Sequence, residues 1–205
     1  EDGVFLRGDA VIARRENQER QVMTTGDIKL PGIHNVENYL AAIAVVDGLV
    51  PDEVIREFAR EFSGVAHRIE LIRTRKGVRW YNDSIASSPS RTMAGLRSFP
   101  GKVILIAGGK DKGISYDPLG PVINKHVKLL LLCGATAGVI RRAVEEASNF
   151  AGLEMIDVAD YREAVSLADS RAGEGDVVIL SPASTSFDRF ANFMERGNCF
   201  KEIVN

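Results

Sequence analysis

The 205 residues carry 26 basic and 28 acidic side chains, a formal net charge of −2, and 45% of them are hydrophobic. This composition predicts a globular chain and argues against a nucleic-acid surface, which is normally clearly basic. No apolar run approaches the roughly 20 residues that a membrane helix needs. Cys133 and Cys199 form no CxxC pair. We therefore expect a cytoplasmic protein without disulfides or a zinc site, binding neither nucleic acid nor a membrane.

The first 64 residues predict short strands followed by two helices. Residues 4–15 and 20–30 have the pattern of strands joined by polar turns. Apolar residues at helical spacing over 36–46 predict a helix capped by Asn35. A second helix is expected over 51–62. Its buried stripe is predicted to consist of Val54, Ile55, Phe58 and Phe62.

From residue 67 onward the chain alternates between strands and helices. Residues 68–83 predict a hairpin that turns at Lys76 and Gly77. Continuous apolar runs indicate three strands that are buried on both faces of a sheet, at residues 102–108, 127–134 and 176–182. Helices are expected at residues 90–99, 138–148, 161–172 and 186–204. The alternation predicts an α/β fold, a Rossmann-like and mostly parallel sheet with helices on both faces.

Small and polar residues follow each predicted strand, where sheets of this kind bind ligands. These segments are 82–84, 108–113, 134–136 and 181–186. Segment 108–113 combines a glycine pair with Lys110 and Lys112, a combination that attracts anions. Each segment alone also fits a solvated turn or a helix cap. Neither a P-loop pattern nor G-x-G-x-x-G occurs in the sequence.

Five motifs together make the pattern specific: GIHNVENYLAA, FSGVAHRIE, VRWYNDSIASSPSRT, LIAGGKDKG and LSPASTSFDRFANFMERGNCF. Their order and spacing resemble the Mur ligases over essentially the whole chain. The resemblance implies that residues 1–66 are the tail of the ATP-binding central domain and that 67–205 are the C-terminal, amino-acid-binding domain. The chain opens on Glu1 rather than Met, and we expect it to be part of a longer protein.

The resemblance implies an ATP-dependent amide-bond ligase that adds D-glutamate to UDP-N-acetylmuramoyl-L-alanine in peptidoglycan precursor synthesis. ATP and Mg²⁺ are then required, and the P-loop and the Mg²⁺ ligands are expected upstream of Glu1. The full-length protein is expected to be a monomer, and this chain alone is expected to be inactive.

Carried over position by position, the resemblance also implies the site residues. The ATP contacts would be Asn38, Arg68 and Asp83. The D-glutamate site would consist of Lys112, Ser87, Ser186, Phe187 and Phe193. A dicarboxylate needs a cation, hydrogen-bond donors and a wall, and this set contains all of them. Ile85 departs from the family, which often has lysine there, so no cationic role is expected at that position.

Two alternatives stay open from the sequence. One is another ATP-dependent amide ligase on the same scaffold, such as a folylpolyglutamate synthase or a different Mur ligase. The Asp-Asn-Pro-Arg type of motif found in diaminopimelate-adding and lysine-adding relatives is absent, which argues against those enzymes. The other alternative is a non-catalytic Rossmann-like binding domain.

Overall fold

The structure is a computed structural model that describes residues 2–30 and 32–205, with the side chain of His34 left out of the description. The chain divides into two compact units, one up to Gly64 and one from Val65 to Asn205. The resemblance places a boundary at residue 66, two residues later, and the assignment of the units to an ATP-binding and an amino-acid-binding domain stays a prediction.

The first unit is a small antiparallel sheet with two helices. Its strands are β1 (Gly3–Arg7), β2 (Ala10–Arg15) and β3 (Gln18–Thr24), paired in chain order. The helices are α1 (Ile33–Val46) and α2 (Asp52–Glu61). One apolar cluster joins the strands to both helices, and it includes Val11, Val22, Met23, Tyr39, Ile43, Ile55 and Ala59.

Two predictions for these helices are wrong in detail. Asn35 does not cap α1, because the helix begins at Ile33 and Gly32 occupies the cap position at a φ of 102°. The face of α2 that is buried is the one carrying Ile55 and Ala59. Its neighbouring face carries Val54 and Phe58, which are 50% and 54% exposed. The apolar pattern of α2 is therefore wider than the stripe that this unit covers.

The second unit is built on a six-stranded sheet. Its strands are β4 (Glu70–Arg75), β5 (Val78–Asn82), β6 (Val103–Ala107), β7 (Val127–Leu132), β8 (Glu154–Asp157) and β9 (Val177–Leu180), in the order β4-β5-β9-β6-β7-β8. The hairpin β4–β5 is antiparallel and every other pair is parallel. As predicted, the β4–β5 hairpin turns at Lys76 and Gly77. Both residues have positive φ angles, as a two-residue hairpin turn requires. The predicted α/β fold is confirmed.

Five helices cover this sheet: α3 (Pro89–Leu96), α4 (Leu119–His126), α5 (Ala137–Glu145), α6 (Tyr161–Arg171) and α7 (Phe193–Val204). Successive side chains of a strand point to opposite faces. In β6, Leu105 packs into a cluster with residues of α3, α4 and α5, whereas Ile104 and Ile106 pack with residues of α6 and α7. Both faces of the sheet are thus buried. None of the helices in the described part of the chain is long and apolar enough to cross a membrane.

The last helix begins later than its sequence pattern predicts. Residues 186–192 form turns, and α7 begins only at Phe193. Asn192 caps it, with its side-chain oxygen accepting from Glu195 N at 2.8 Å, while the Glu195 carboxylate accepts from Ala191 N at 3.1 Å. These two bonds fix the start of the helix. Ser186 and Phe187 therefore lie on a loop, not on a helix.

Candidate functional site

The loops that follow β5, β9, β6 and β7 meet at one edge of the second unit, because these four strands are neighbours in that order. Thr136, after β7, is fully buried. Its hydroxyl accepts from Gly109 N at 3.0 Å and lies 2.8 Å from Ser184 Oγ. Ser184 Oγ also lies 2.9 Å from Tyr116 OH. These buried hydroxyls fix the loop after β6 against the loop after β9.

The glycine pair after β6 is required by close backbone packing. Gly108 and Gly109 have φ angles of 116° and 154°. A Cβ at Gly108 would overlap the backbone of Cys133, and one at Gly109 would overlap the carbonyl of Thr185. Any other residue would push the loop away from the sheet. The turn that carries Lys112 is therefore held close to the Ser-rich loop.

Lys112 and Ser87 are brought together, as expected for two residues of one site. Lys112 is exposed, and its Nζ donates to Ser87 Oγ at 3.4 Å. That distance is long for a hydrogen bond of an ammonium group, so the lysine is only weakly held. An exposed and weakly held ammonium next to a hydroxyl is suited to binding a carboxylate.

Ser186 and Phe187 offer two adjacent donors in the loop after β9. Ser186 is 2% exposed and Phe187 is 62% exposed. Within the described residues, neither the Ser186 hydroxyl nor the Phe187 N–H has a hydrogen-bond partner, although the Ser186 carbonyl accepts from Phe190 N at 2.9 Å. Two free donors on consecutive residues can bind the two oxygens of one carboxylate.

Phe193 lies at the start of α7 and is half-buried. Its carbonyl accepts from Ser84 Oγ at 2.7 Å, which ties it to the loop after β5. Its ring packs edge-on against His67, with the ring centroids 5.9 Å apart. Phe193 is thus held in place from two sides, and its role as a wall of the D-glutamate site, which the resemblance implies, stays a prediction.

Asp83, a predicted ATP contact, is only 3% exposed. Its carboxylate accepts from Ser181 Oγ at 2.8 Å and from Ile69 N at 3.2 Å. Burial raises the pKa of Asp83 to about 7, against the opposing effect of these bonds and of the charges of Arg68 and Arg91. Asp83 thus accepts hydrogen bonds from groups of the protein itself. Its contact with a nucleotide stays a prediction.

The other two predicted ATP contacts are exposed. Arg68 lies in the turn before β4, and its charge acts on Asp83, so the structure does bring this pair together. Asn38 lies on an exposed position of α1 in the first unit. Among the residues that the structure describes, no group of three or more His, Cys, Asp or Glu side chains is arranged to hold a metal ion.

His67 is a residue whose place the sequence did not indicate. It is 7% exposed and adopts a φ of 66°. Asn82 Nδ2 lies 2.9 Å from His67 Nδ1 and donates to Glu70 at 3.1 Å, and Lys201 pairs with Glu70 at 2.6 Å. The ring sits against Gly197, where any Cβ would overlap it. Burial lowers the pKa of His67.

The fold and this edge define a Rossmann-like α/β domain with donors suited to a carboxylate ligand. The family described as "Mur ligase, glutamate ligase domain" matches residues 67–184. The chain belongs to this family, and the resemblance seen in its motifs is confirmed.

Relatives of known name support the same family. The UDP-N-acetylmuramoylalanine--D-glutamate ligase of Acetivibrio thermocellus is 53% identical over 209 residues, an alignment that covers 100% of this chain and 45% of that protein. The ligase of the same name from Symbiobacterium thermophilum is 47% identical, covering 99% of this chain and 44% of the relative. The chain therefore spans less than half the length of these curated relatives.

Solved structures share the fold at low sequence identity. The UDP-N-acetylmuramate-alanine ligase of Thermotoga maritima matches with a TM-score of 0.65 and 18% identity, covering 95% of this chain and 43% of that one. The folylpolyglutamate synthase of Mycobacterium tuberculosis, solved with ADP, matches with a TM-score of 0.66 and 14% identity, covering 100% and 47%. These likenesses show the fold alone.

Proposed function

We propose that residues 1–205 are part of a longer ATP-dependent ligase that adds D-glutamate to UDP-N-acetylmuramoyl-L-alanine. The observation that carries the proposal is the set of groups at one sheet edge: the Lys112 ammonium beside Ser87, and the free donors of Ser186 and Phe187. Such a set matches the two carboxylates of glutamate, one for the cation and one for the donor pair.

The reaction has two steps. The carboxylate of the nucleotide-linked alanine attacks the γ-phosphorus of ATP, which gives an acyl phosphate and releases ADP. The amine of D-glutamate then attacks the acyl carbon, loses a proton and expels phosphate. The second unit contributes orientation, because it binds both carboxylates of D-glutamate and leaves the amine free to attack.

Residues 1–66 belong, in this proposal, to the ATP-binding domain, and 67–205 form the amino-acid-binding domain. Asn38, Arg68 and Asp83 contact ATP. An arginine can bind a phosphate or the ribose, and an aspartate can accept from ribose hydroxyls. Mg²⁺ is held by residues upstream of Glu1. The protein acts in the cytoplasm, where its nucleotide substrates occur, as a monomer.

A folylpolyglutamate synthase is the second candidate, since it shares the fold. Its structures are only 13–15% identical to this chain. Relatives named as D-glutamate ligases are 47–53% identical over essentially the whole chain. The D-glutamate ligase is therefore favoured.

The test is a chimeric ligase in which the upstream part of the Acetivibrio thermocellus relative precedes residues 1–205. Its product is identified by mass spectrometry with ATP, Mg²⁺ and UDP-N-acetylmuramoyl-L-alanine, using D-glutamate or L-glutamate, and separately with a folate acceptor and L-glutamate. We expect product with D-glutamate alone. Product with the folate acceptor, or no product from a folded chimera, would reject the proposal.

A further inference from the structure

Arg196, in the Asn-Phe-x-x-Arg-Gly motif, is a buried arginine with no role in the site as described so far. It is 1% exposed. Within residues 2–30 and 32–205, none of the ion pairs involves its guanidinium. Burial lowers the pKa of Arg196, against the opposing effects of Tyr161 and Asp188. Buried charges are normally paired, so this cation needs an explanation.

The guanidinium bonds to two of the loops at the site and lies against a third. Its Nε donates to Ser84 Oγ at 3.0 Å and its Nη2 donates to Ser84 O at 2.8 Å, in the loop after β5. Its Nη1 donates to Ser184 O at 3.0 Å, in the loop after β9. A Cβ at Gly109 would lie 3.2 Å from Nη1, so the group also rests against the loop after β6. One planar group therefore bridges the loops after β5 and β9 and lies next to the loop after β6.

Each of these three loops carries a residue of the proposed D-glutamate site. Ser84 precedes Ser87, Gly109 precedes Lys112, and Ser184 precedes Ser186. Phe193 lies one helical turn before Arg196 on α7. A shift of this guanidinium would thus move the cation, the hydroxyls and the wall of the site relative to one another.

We propose that Arg196 is a positioning residue of the D-glutamate site: its forked donors hold the loops after β5 and β9 in register. This inference rests on the proposed function. Lysine cannot replace it, because a single ammonium cannot reach Ser84 and Ser184 with the fork geometry of a guanidinium. Replacing this arginine by lysine therefore separates the effect of the guanidinium geometry from the effect of the positive charge.

The experiment compares Arg196→Lys and Arg196→Met in the chimeric ligase. We expect both variants to raise the KM for D-glutamate by about tenfold or more, the effect of about 1.4 kcal/mol. The KM for ATP should stay unchanged. Formation of the acyl phosphate without D-glutamate, measured by trapping, should also persist. Arg196→Lys retains the positive charge, which keeps the test decisive if Arg196→Met does not fold.

Val204→Ala is the matched control, because Val204 is fully buried near the end of the same helix and packs among residues of α6 and the sheet. It should lower the melting temperature and leave the KM for D-glutamate unchanged. If the Arg196 variants instead behave like Val204→Ala, or if Arg196→Lys restores the wild-type KM, the positioning role is overturned. Failure of the unmutated chimera to use D-glutamate would overturn the proposed function itself.

Discussion

Lys110 and Thr185 form an isolated antiparallel bridge between the loops that follow β6 and β9. Lys110 N donates to Thr185 O at 2.9 Å, and Thr185 N donates to Lys110 O at 3.0 Å. The Thr185 hydroxyl donates to the same Lys110 carbonyl at 2.9 Å. Because Lys112 and Ser186 follow these two residues closely, the bridge holds together the backbones that carry the cation and the donors of the proposed site.

Lys112→Ala in the chimeric ligase tests the role of the cation. A charged hydrogen bond to a carboxylate contributes on the order of 1.5–3 kcal/mol, which corresponds to roughly 10- to 150-fold in binding. We expect the KM for D-glutamate to rise by that factor and the KM for ATP to change little. Steady-state kinetics measures both constants.

Lys125→Ala is the control for this change, since it removes the same charge from an exposed position at the end of α4. It should leave both constants unaltered. An unchanged D-glutamate KM in Lys112→Ala would remove this lysine from the site. A selective rise in the KM for ATP would assign the lysine to the nucleotide instead.

Asp83 should make the stability of the second unit depend on pH. Its pKa in the folded chain is about 7, against about 3.9 when unfolded. The folded state therefore holds the proton more tightly, and the contribution to stability, present below about pH 4, is lost as the pH rises through about 7. The loss is on the order of 4 kcal/mol.

Asp83→Asn should abolish that part of the pH dependence. The amide can donate to Ser181 Oγ, whose proton then points to Thr92 Oγ1 at 3.0 Å. Urea unfolding of residues 1–205, followed by the fluorescence of the single, buried Trp80, gives the free energy at about pH 5 and about pH 8. If the free energies of unfolding of wild type and variant differ by the same amount at both pH values, Asp83 is ionised throughout and this prediction is wrong.

Thr136→Val should destabilise the second unit although it keeps the shape of the side chain. It leaves the buried Gly109 N–H without its acceptor, which costs about 1–3 kcal/mol in the free energy of unfolding. Ser98→Ala removes a hydroxyl that bonds at the surface and should change stability by less than about 0.5 kcal/mol. Equal effects of the two changes in urea unfolding would show that the buried hydroxyl network does not hold the loop.

The isolated chain of 205 residues should neither hydrolyse ATP nor form an amide bond. It contains no P-loop pattern, so the β- and γ-phosphates have no backbone cradle. Phosphate release, measured with the UDP-linked substrate and D-glutamate present, should equal the buffer control, with the chimeric ligase as the positive control. Release that depends on the UDP-linked substrate would contradict this expectation.

Most strands and most helices of the second unit could be predicted because local signals agree with the fold, but β8 was not predicted. The apolar runs of β6, β7 and β9 and the Lys76–Gly77 turn are examples. Helix α4 went unrecognised because Gly120 and Pro121 interrupt its pattern. Pro121 is tolerated in the first turn, and Gly120 is required because a Cβ there would overlap the carbonyl of Ala143. That requirement comes from packing against α5, so the sequence of α4 alone does not indicate it.

The candidate site shows the same division between local and long-range information. Motifs indicated Ser87, Lys112 and Ser186, and strand order explains why they converge. The burial of Asp83 was not foreseeable, because it depends on Ser181 from a distant strand and on space left by Gly95. The role of Arg196 likewise depends on the backbone carbonyls of Ser84 and Ser184, whose positions the sequence does not indicate.

The most direct test of the account is a crystal structure of the chimeric ligase with D-glutamate bound. The account predicts one carboxylate within about 3.2 Å of Lys112 Nζ and the other within hydrogen-bonding distance of the Ser186 hydroxyl and the Phe187 N–H. It also predicts that the Phe193 ring forms a wall of the site. D-Glutamate bound away from the loops after β5, β6 and β9 would contradict it.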